Sequence, residues 1–149
     1  MTMSMSAEAK TPWHLWVVGV LALLWNGYGG YDFVMTFMKG EAYFRAHGMS
    51  DAQIAYFQSM PNWLIGPWAL GVWSSVAGSI LLLLRMRWAF HAFVVSLLGL
   101  TTTLVYTYLL SDGGKIGGVD GTIMYAVIAA VIVLLAWYSH AMAKRGVLR

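Results

Sequence analysis

Apolar positions in this chain do not alternate with polar ones; they run on without interruption. Residues 11–31, 52–84, 88–111 and 121–143 contain no Asp, Glu, Lys or Arg for 21, 33, 24 and 23 consecutive positions. A helix needs about 20 mainly apolar residues to cross the roughly 30 Å hydrocarbon core of a bilayer, so each stretch is long enough to cross once. The pattern predicts an all-α, polytopic membrane protein forming one membrane domain over residues 1–149. Four transmembrane helices are expected near 13–35, 61–84, 88–110 and 121–143, with a short helical outer cap over 36–60.

The first span changes character half-way, at Trp25-Asn26-Gly27-Tyr28-Gly29-Gly30-Tyr31-Asp32. Its glycines weaken the helix or admit a second backbone. In the cap, Glu41 to His47 reads as a short helical turn ending at Gly48. Ser50 and Gln53 have the spacing of a capping box, and the helix they open must stop before Met60, because a residue preceding proline avoids the helical region. In the second span Gly66 and Pro67 predict a kink, and Gly71, Ser74, Ser75, Gly78 and Ser79 recur at three- and four-residue spacing as one small-residue face. Such a face permits close helix approach in lipid. Only Arg85-Met86-Arg87 separates the second span from the third, which requires an antiparallel hairpin. Ser96, Gly99, Thr103, Tyr106 and Thr107 share a face of the third span. The connection 111–121, SDGGKIGGVDG, holds five glycines in eleven residues and is expected to be a flexible loop, with Asp120 or Thr122 capping the fourth span.

Composition agrees with a membrane domain: 60% of residues are hydrophobic and 10% charged, against about 25% charged in an average soluble domain. Four spans with short connections leave no room for a soluble catalytic domain. The net charge of +3 is spread over span ends and is no sign of nucleic-acid binding. Lys10, Arg85, Arg87, Lys144, Arg145 and Arg149 fall at one end of the predicted bundle, and Lys39, Arg45 and Lys115 at the other. Because cytoplasmic ends carry the Lys/Arg excess, both termini are expected in the cytoplasm. The opening MTMSMSAEAK, with one Lys and one Glu, is a poor signal-peptide start, so the first apolar stretch is read as a retained span.

Candidate chemistry is sparse. No acid, base and nucleophile converge in the spans, and no enzyme activity, cofactor or metal site is expected. His14, His91 and His140 share one end of the bundle, but interface-depth imidazoles are ordinary and no haem is expected. The tryptophans at 13, 16, 63, 68, 88 and 137 fit an aromatic interface belt. Asn26 and Asp32 are the residues most in need of explanation, since polar groups inside a membrane are costly. Either Asn26 bonds across helices to Ser75 or Thr103 while Asp32 pairs with Lys39 or Arg45, or Asn26, Tyr28, Tyr31 and Asp32 surround a small ligand-binding cavity open to the outside. Gly29, Gly30, Gly71, Ser75 and Gly78 are the expected helix-packing positions.

The run LALLWNGYGGYDFVMT, the segment AYFQSMPNW and the stretch ALGVWSSVAGSILLLLRMRWA together resemble an uncharacterised group of small four-helix inner-membrane proteins of Gram-negative bacteria, whose members often carry the label sugar transporter. The resemblance rests on Trp25, Asn26, Gly27, Gly29 and Asp32 and on Pro61 and Trp63, and it covers nearly the whole chain. It implies transport without implying a mechanism. Two functional expectations follow: a non-catalytic accessory subunit packed into a homo- or hetero-oligomeric membrane complex, or a sugar-like solute transporter acting as an oligomer. In both, the partners are the bilayer and other membrane proteins or copies, not nucleic acid.

Overall fold

The computed structural model describes residues 10–149; the first nine, most of the segment read above as a poor signal start, lie outside the described residues. Six α-helices follow in order: α1 (Trp13–Lys39), α2 (Glu41–Ala46), α3 (Asp51–Gln58), α4 (Ile65–Leu83), α5 (Trp88–Val105) and α6 (Gly113–Lys144). A 3-10 turn (Asn62–Leu64) leads into α4, and a π turn (Tyr106–Leu110) prolongs α5. No strand occurs among the described residues.

Three segments are long and apolar enough to cross a membrane: Asn62–Leu83, Trp88–Leu110 and Gly113–Lys144. Helix α1 is longer than the first two, at 27 residues, or roughly 40 Å at 1.5 Å per residue. Its Asn, Gly and Tyr-rich second half dilutes its apolar character, which is why it does not stand with the other three. It also runs on to Lys39, past the expected end at 35, and stops where Gly40 adopts a left-handed φ of 53°.

Helix α4 is the centre of the bundle, packing on α1 and on α5, with α6 against α5 and meeting α1 through Tyr138 and the shared apolar cluster. Glycine decides how close these helices come. A Cβ on Gly99 would lie 2.6 Å from the Pro67 carbonyl oxygen and 2.8 Å from the Gly71 nitrogen, so α4 and α5 touch backbone to backbone there. The Ser96 hydroxyl donates across the same contact to the Gly71 carbonyl at 2.6 Å. About two turns further along α4, Phe93 lies over Gly78, and elsewhere on α4 Trp73 lies over Gly30 of α1. The expected kink at Pro67 does not arise. Pro67 occupies the first turn of α4, where a helix N–H has no partner in any case.

The 111–120 connection departs furthest from expectation. The flexible loop is instead helical from Gly113, interrupted by non-helical geometry at Gly118 (φ 64°, ψ −160°). Its start is held in place: Gly113 lies beneath the Tyr56 ring, and the Ser111 hydroxyl bonds that of Tyr56 at 2.9 Å. Asp120 and Thr122 therefore do not cap a span; Thr122 donates to the Gly118 carbonyl at 3.1 Å. Glycine content predicted freedom, while packing against α3 removes it.

The turn joining α4 to α5 is closed by Arg85 in the left-handed region (φ 58°), with Met86 N–H reaching the Leu81 carbonyl at 2.9 Å. This is a helix stop of the kind glycine usually provides. Residues 147–149 fold back onto that turn through a pair of 2.8 Å backbone bonds, Arg87 N–H to the Arg149 carbonyl and Arg149 N–H to the Arg85 carbonyl. Val147 and Leu148, 2% and 1% exposed, thereby complete an apolar cluster with Leu15, Leu82, Ala89, Phe93 and Leu135.

Candidate functional site

Asn26 and Asp32 lie on the same helix, roughly 9 Å apart along its axis, and the structure treats them separately. Asn26 faces α4 and is 6% exposed. Its amide donates to the Ser79 hydroxyl at 2.9 Å and, more weakly, to the Ser75 carbonyl at 3.4 Å. Ser79 in turn donates to the Ser75 carbonyl at 2.9 Å. The small-residue face of α4 is thus also a polar seam, whose serine bonds its own helix and accepts from the next. Ser79 is the partner the sequence pattern did not single out, although it belongs to the same stripe as Ser75 and Gly78.

Asp32 turns toward the short helices. The Tyr43 hydroxyl donates to its Oδ1 at 2.6 Å, and neither Lys39 nor Arg45 takes the role expected of it. Arg45 instead bonds Glu41 at 2.6 Å and Asp51 at 3.1 Å, both on the exposed surface. Tyr43 is buried and lies against His47, the rings tilted by 46° with 4.3 Å between centroids. Burial, then the hydrogen bond to the Asp32 carboxylate, push its phenol well above the ordinary value, because ionising it would place a second negative charge beside the first. The Asp32–Tyr43 bond is a latch that ties α2 to the end of α1. Tyr43, Phe44 and Ile54 form the small core beneath it, with Met35, Met49 and Phe57. The capping box closes as its spacing predicts, Gln53 N–H to the Ser50 hydroxyl at 3.2 Å and Ser50 N–H to the Gln53 side chain at 3.0 Å.

Tyr28 and Tyr31 make no hydrogen bond to either polar group. They are exposed, their rings 6.3 Å apart, and near enough to Tyr43 to add to the rise of its pKa. The four residues expected around one cavity are therefore divided among a helix interface, a latch and an outward face. Two shallow, open concavities lie along α6, one lined by Leu104, Tyr108, Tyr125 and Ala126, the other by Gly114, Val119 and Ile123. Neither is lined by Asn26 or Asp32.

Of the expected packing positions, Gly30, Gly71, Ser75 and Gly78 lie within the α1–α4 and α4–α5 contacts. Gly29 does not: a side chain added there, or at Gly27, meets nothing within 4 Å. His14 bonds the Tyr138 hydroxyl, while His91 and His140 both lie against Phe90, at 5.6 and 5.2 Å between ring centroids. Among the described residues no three His, Asp or Glu side chains converge as a metal site.

No family model, curated protein or solved structure matches this chain. The functional reading therefore rests on the geometry.

Proposed function

We propose that this chain is a non-catalytic, helix-packing subunit of a membrane complex, built from its own copies or with another membrane protein. The observation that supports it most is on α1. Val20, Leu24, Gly27, Tyr31 and Val34 are spaced at 0, 4, 7, 11 and 14 along a side that no helix of the chain covers, with Leu24 66% exposed. This is the spacing of a seam between two helices. Gly27 at its middle lowers helix propensity by about 1 kcal/mol relative to Ala, which lipid does not repay, but it lets a second backbone approach. The internal bonding of Asn26 and Asp32 points the same way, since a solute site needs polar groups that are not already engaged.

In this reading α1 is a fourth crossing and the chain spans the bacterial inner membrane four times. Both termini are cytoplasmic, because six Lys and Arg lie at their end and three at the other. Helices α2 and α3 form the outer cap. The sugar-like transporter remains the alternative, and the side-by-side rings of Tyr28 and Tyr31 are what favours it, as a surface on which a sugar can stack.

Gly27→Leu separates the two. A Cβ at position 27 meets nothing within 4 Å, so helix content and thermal stability of the isolated protein should be unchanged or slightly raised while complex size in mild detergent falls. Unchanged complex size would count against the subunit reading. Stabilisation by a sugar that is lost in Tyr31→Ala, with complex size unaffected, would favour the carrier. A phosphatase active only in the periplasm, fused after Arg149, should stay silent; strong activity would reverse the orientation.

A further inference from the structure

Asp32 is a carboxylate whose charge the fold does not balance. Tyr43 donates to its Oδ1 at 2.6 Å, a bond that closes the latch but brings no positive charge. No donor among the described residues reaches Oδ2, and no Lys, Arg or His among them forms an ion pair with Asp32. Yet Asp32 is half-buried, towards the end of a helix read above as a crossing. A carboxylate in such a place is costly unless something meets its charge.

The side chains beside it are aromatic. Tyr28 precedes Asp32 by one helical turn, which makes the two neighbours on the surface of α1. Its ring lies 6.3 Å from that of Tyr31, tilted by 35°, and both residues are more than half exposed, at 59% and 54%. Behind burial and Asp32 itself, Tyr28 and Tyr31 also help to raise the pKa of Tyr43, so both lie within electrostatic reach of the latch. Tyr28 and Asp32 stand about 100° and 140° round α1 from Gly27, to one side of the stripe proposed as a protein contact.

We propose that Asp32, Tyr28 and Tyr31 bind a primary ammonium ion carried on a small organic body. Its N–H groups donate to Oδ2, the carboxylate oxygen left without a donor. The exposed tyrosine rings attract the charge and cover the adjoining methylenes. A calcium ion is a poorer match, since it takes about 6–8 oxygen ligands and, among the described residues, no three His, Asp or Glu side chains converge. The ammonium group can belong to a soluble amine or to the headgroup of an ethanolamine phospholipid; the chemistry at Asp32 is the same. The inference stands whether or not α1 also packs against a partner.

The test is thermal unfolding of the full chain in mild detergent with n-butylammonium, butyltrimethylammonium or sodium chloride at equal ionic strength. Native mass spectrometry with phosphatidylethanolamine or phosphatidylcholine runs beside it. One charge-assisted N–H bond is worth about tenfold in affinity. In at least one of the two series, the ammonium with N–H groups should bind about tenfold more tightly than its trimethyl counterpart. A preference confined to butylammonium identifies a soluble amine, and one confined to phosphatidylethanolamine a lipid; both support the site. Asp32→Asn should abolish the preference, because its amide oxygen still accepts from Tyr43 while the charge is gone. Tyr28→Leu, at an exposed position, should weaken binding about threefold without changing unfolding in the absence of amine. No preference in either series, a preference that survives Asp32→Asn, or binding untouched by Tyr28→Leu would each overturn the proposal. If Asp32→Asn does not fold, Tyr28→Leu decides alone.

Discussion

Gly71 and Gly99 meet at the same crossing of α4 and α5, yet replacing each by alanine should have opposite consequences. At Gly99 the new methyl would lie 2.6 Å from the Pro67 carbonyl oxygen, 2.8 Å from the Gly71 nitrogen and 2.9 Å from its Cα. Carbon and carbonyl oxygen rest at about 3.3–3.6 Å, so the helices must separate by roughly 0.7 Å. The obstacle is backbone on every side, and no side chain can swing away. A gap of that size removes a quarter to a half of the dispersion attraction for the atoms it separates, and it stretches the 2.6 Å bond from Ser96 to Gly71 beyond its best range. Overpacking of this kind costs about 1–3 kcal/mol, and an interhelical hydrogen bond about 0.6–1.7 kcal/mol. At Gly71, by contrast, the nearest atoms would be 3.5 Å away, an ordinary contact. Both substitutions gain the same helix propensity, so that contribution cancels in the comparison. Gly99→Ala should therefore be less stable than Gly71→Ala by about 2–4 kcal/mol. Unfolding in dodecyl sulfate, followed by circular dichroism in mixed micelles, measures the difference. A difference under about 0.5 kcal/mol, or the reverse order, would refute the claim that α4 and α5 touch through Gly99.

Asn26→Ala should destabilise by about 0.6–1.7 kcal/mol, no more, because Ser79 keeps its bond to the Ser75 carbonyl; the same titration reads it, and a larger loss would mean Asn26 does more than join α1 to α4. Tyr43 has a folded pKa raised above its unfolded value of 10.0. Its contribution to stability is therefore complete below about pH 10 and is lost as pH climbs toward the raised value. Absorbance titration near 295 nm should show a tyrosinate step well above pH 10 that is absent from Tyr43→Phe. Ionisation of Tyr43 at its ordinary pH would disprove the latch.

Long apolar runs made the helical character legible, and short-range chemistry made the capping box and the Glu41 turn legible, because each depends on residues within a few positions. What stayed hidden depends on residues far apart in the chain. Charge suggested Lys39 or Arg45 for Asp32, but Arg45 already has Glu41 one turn behind it on its own helix. The phenol of Tyr43, eleven residues from Asp32, carries no charge to advertise it. Glycine content marked 111–120 as loose because freedom is a local property, whereas its order comes from Tyr56, 55 residues away from Ser111. Small residues announced close helix contacts without saying which helix. Gly71 and Gly30 meet neighbours inside the chain, while Gly27 and Gly29 meet open space. The folding back of 147–149 had no sequence signal beyond Gly146, which takes a positive φ of 75° just before the buried Val147.

The central claim is that the exposed stripe on α1 is a protein contact and not a lipid face. The chain has no cysteine, so single cysteines placed at Val20, Leu24, Tyr31 and, on the outward side of α6, Val127 and Leu134 can be cross-linked with a short bismaleimide in intact membranes. The account predicts discrete adducts of one mass from positions 20, 24 and 31 and little or none from 127 and 134, with the α1 adducts lost when Gly27→Leu is added. Equal cross-linking from both helices, or none from α1, would contradict it.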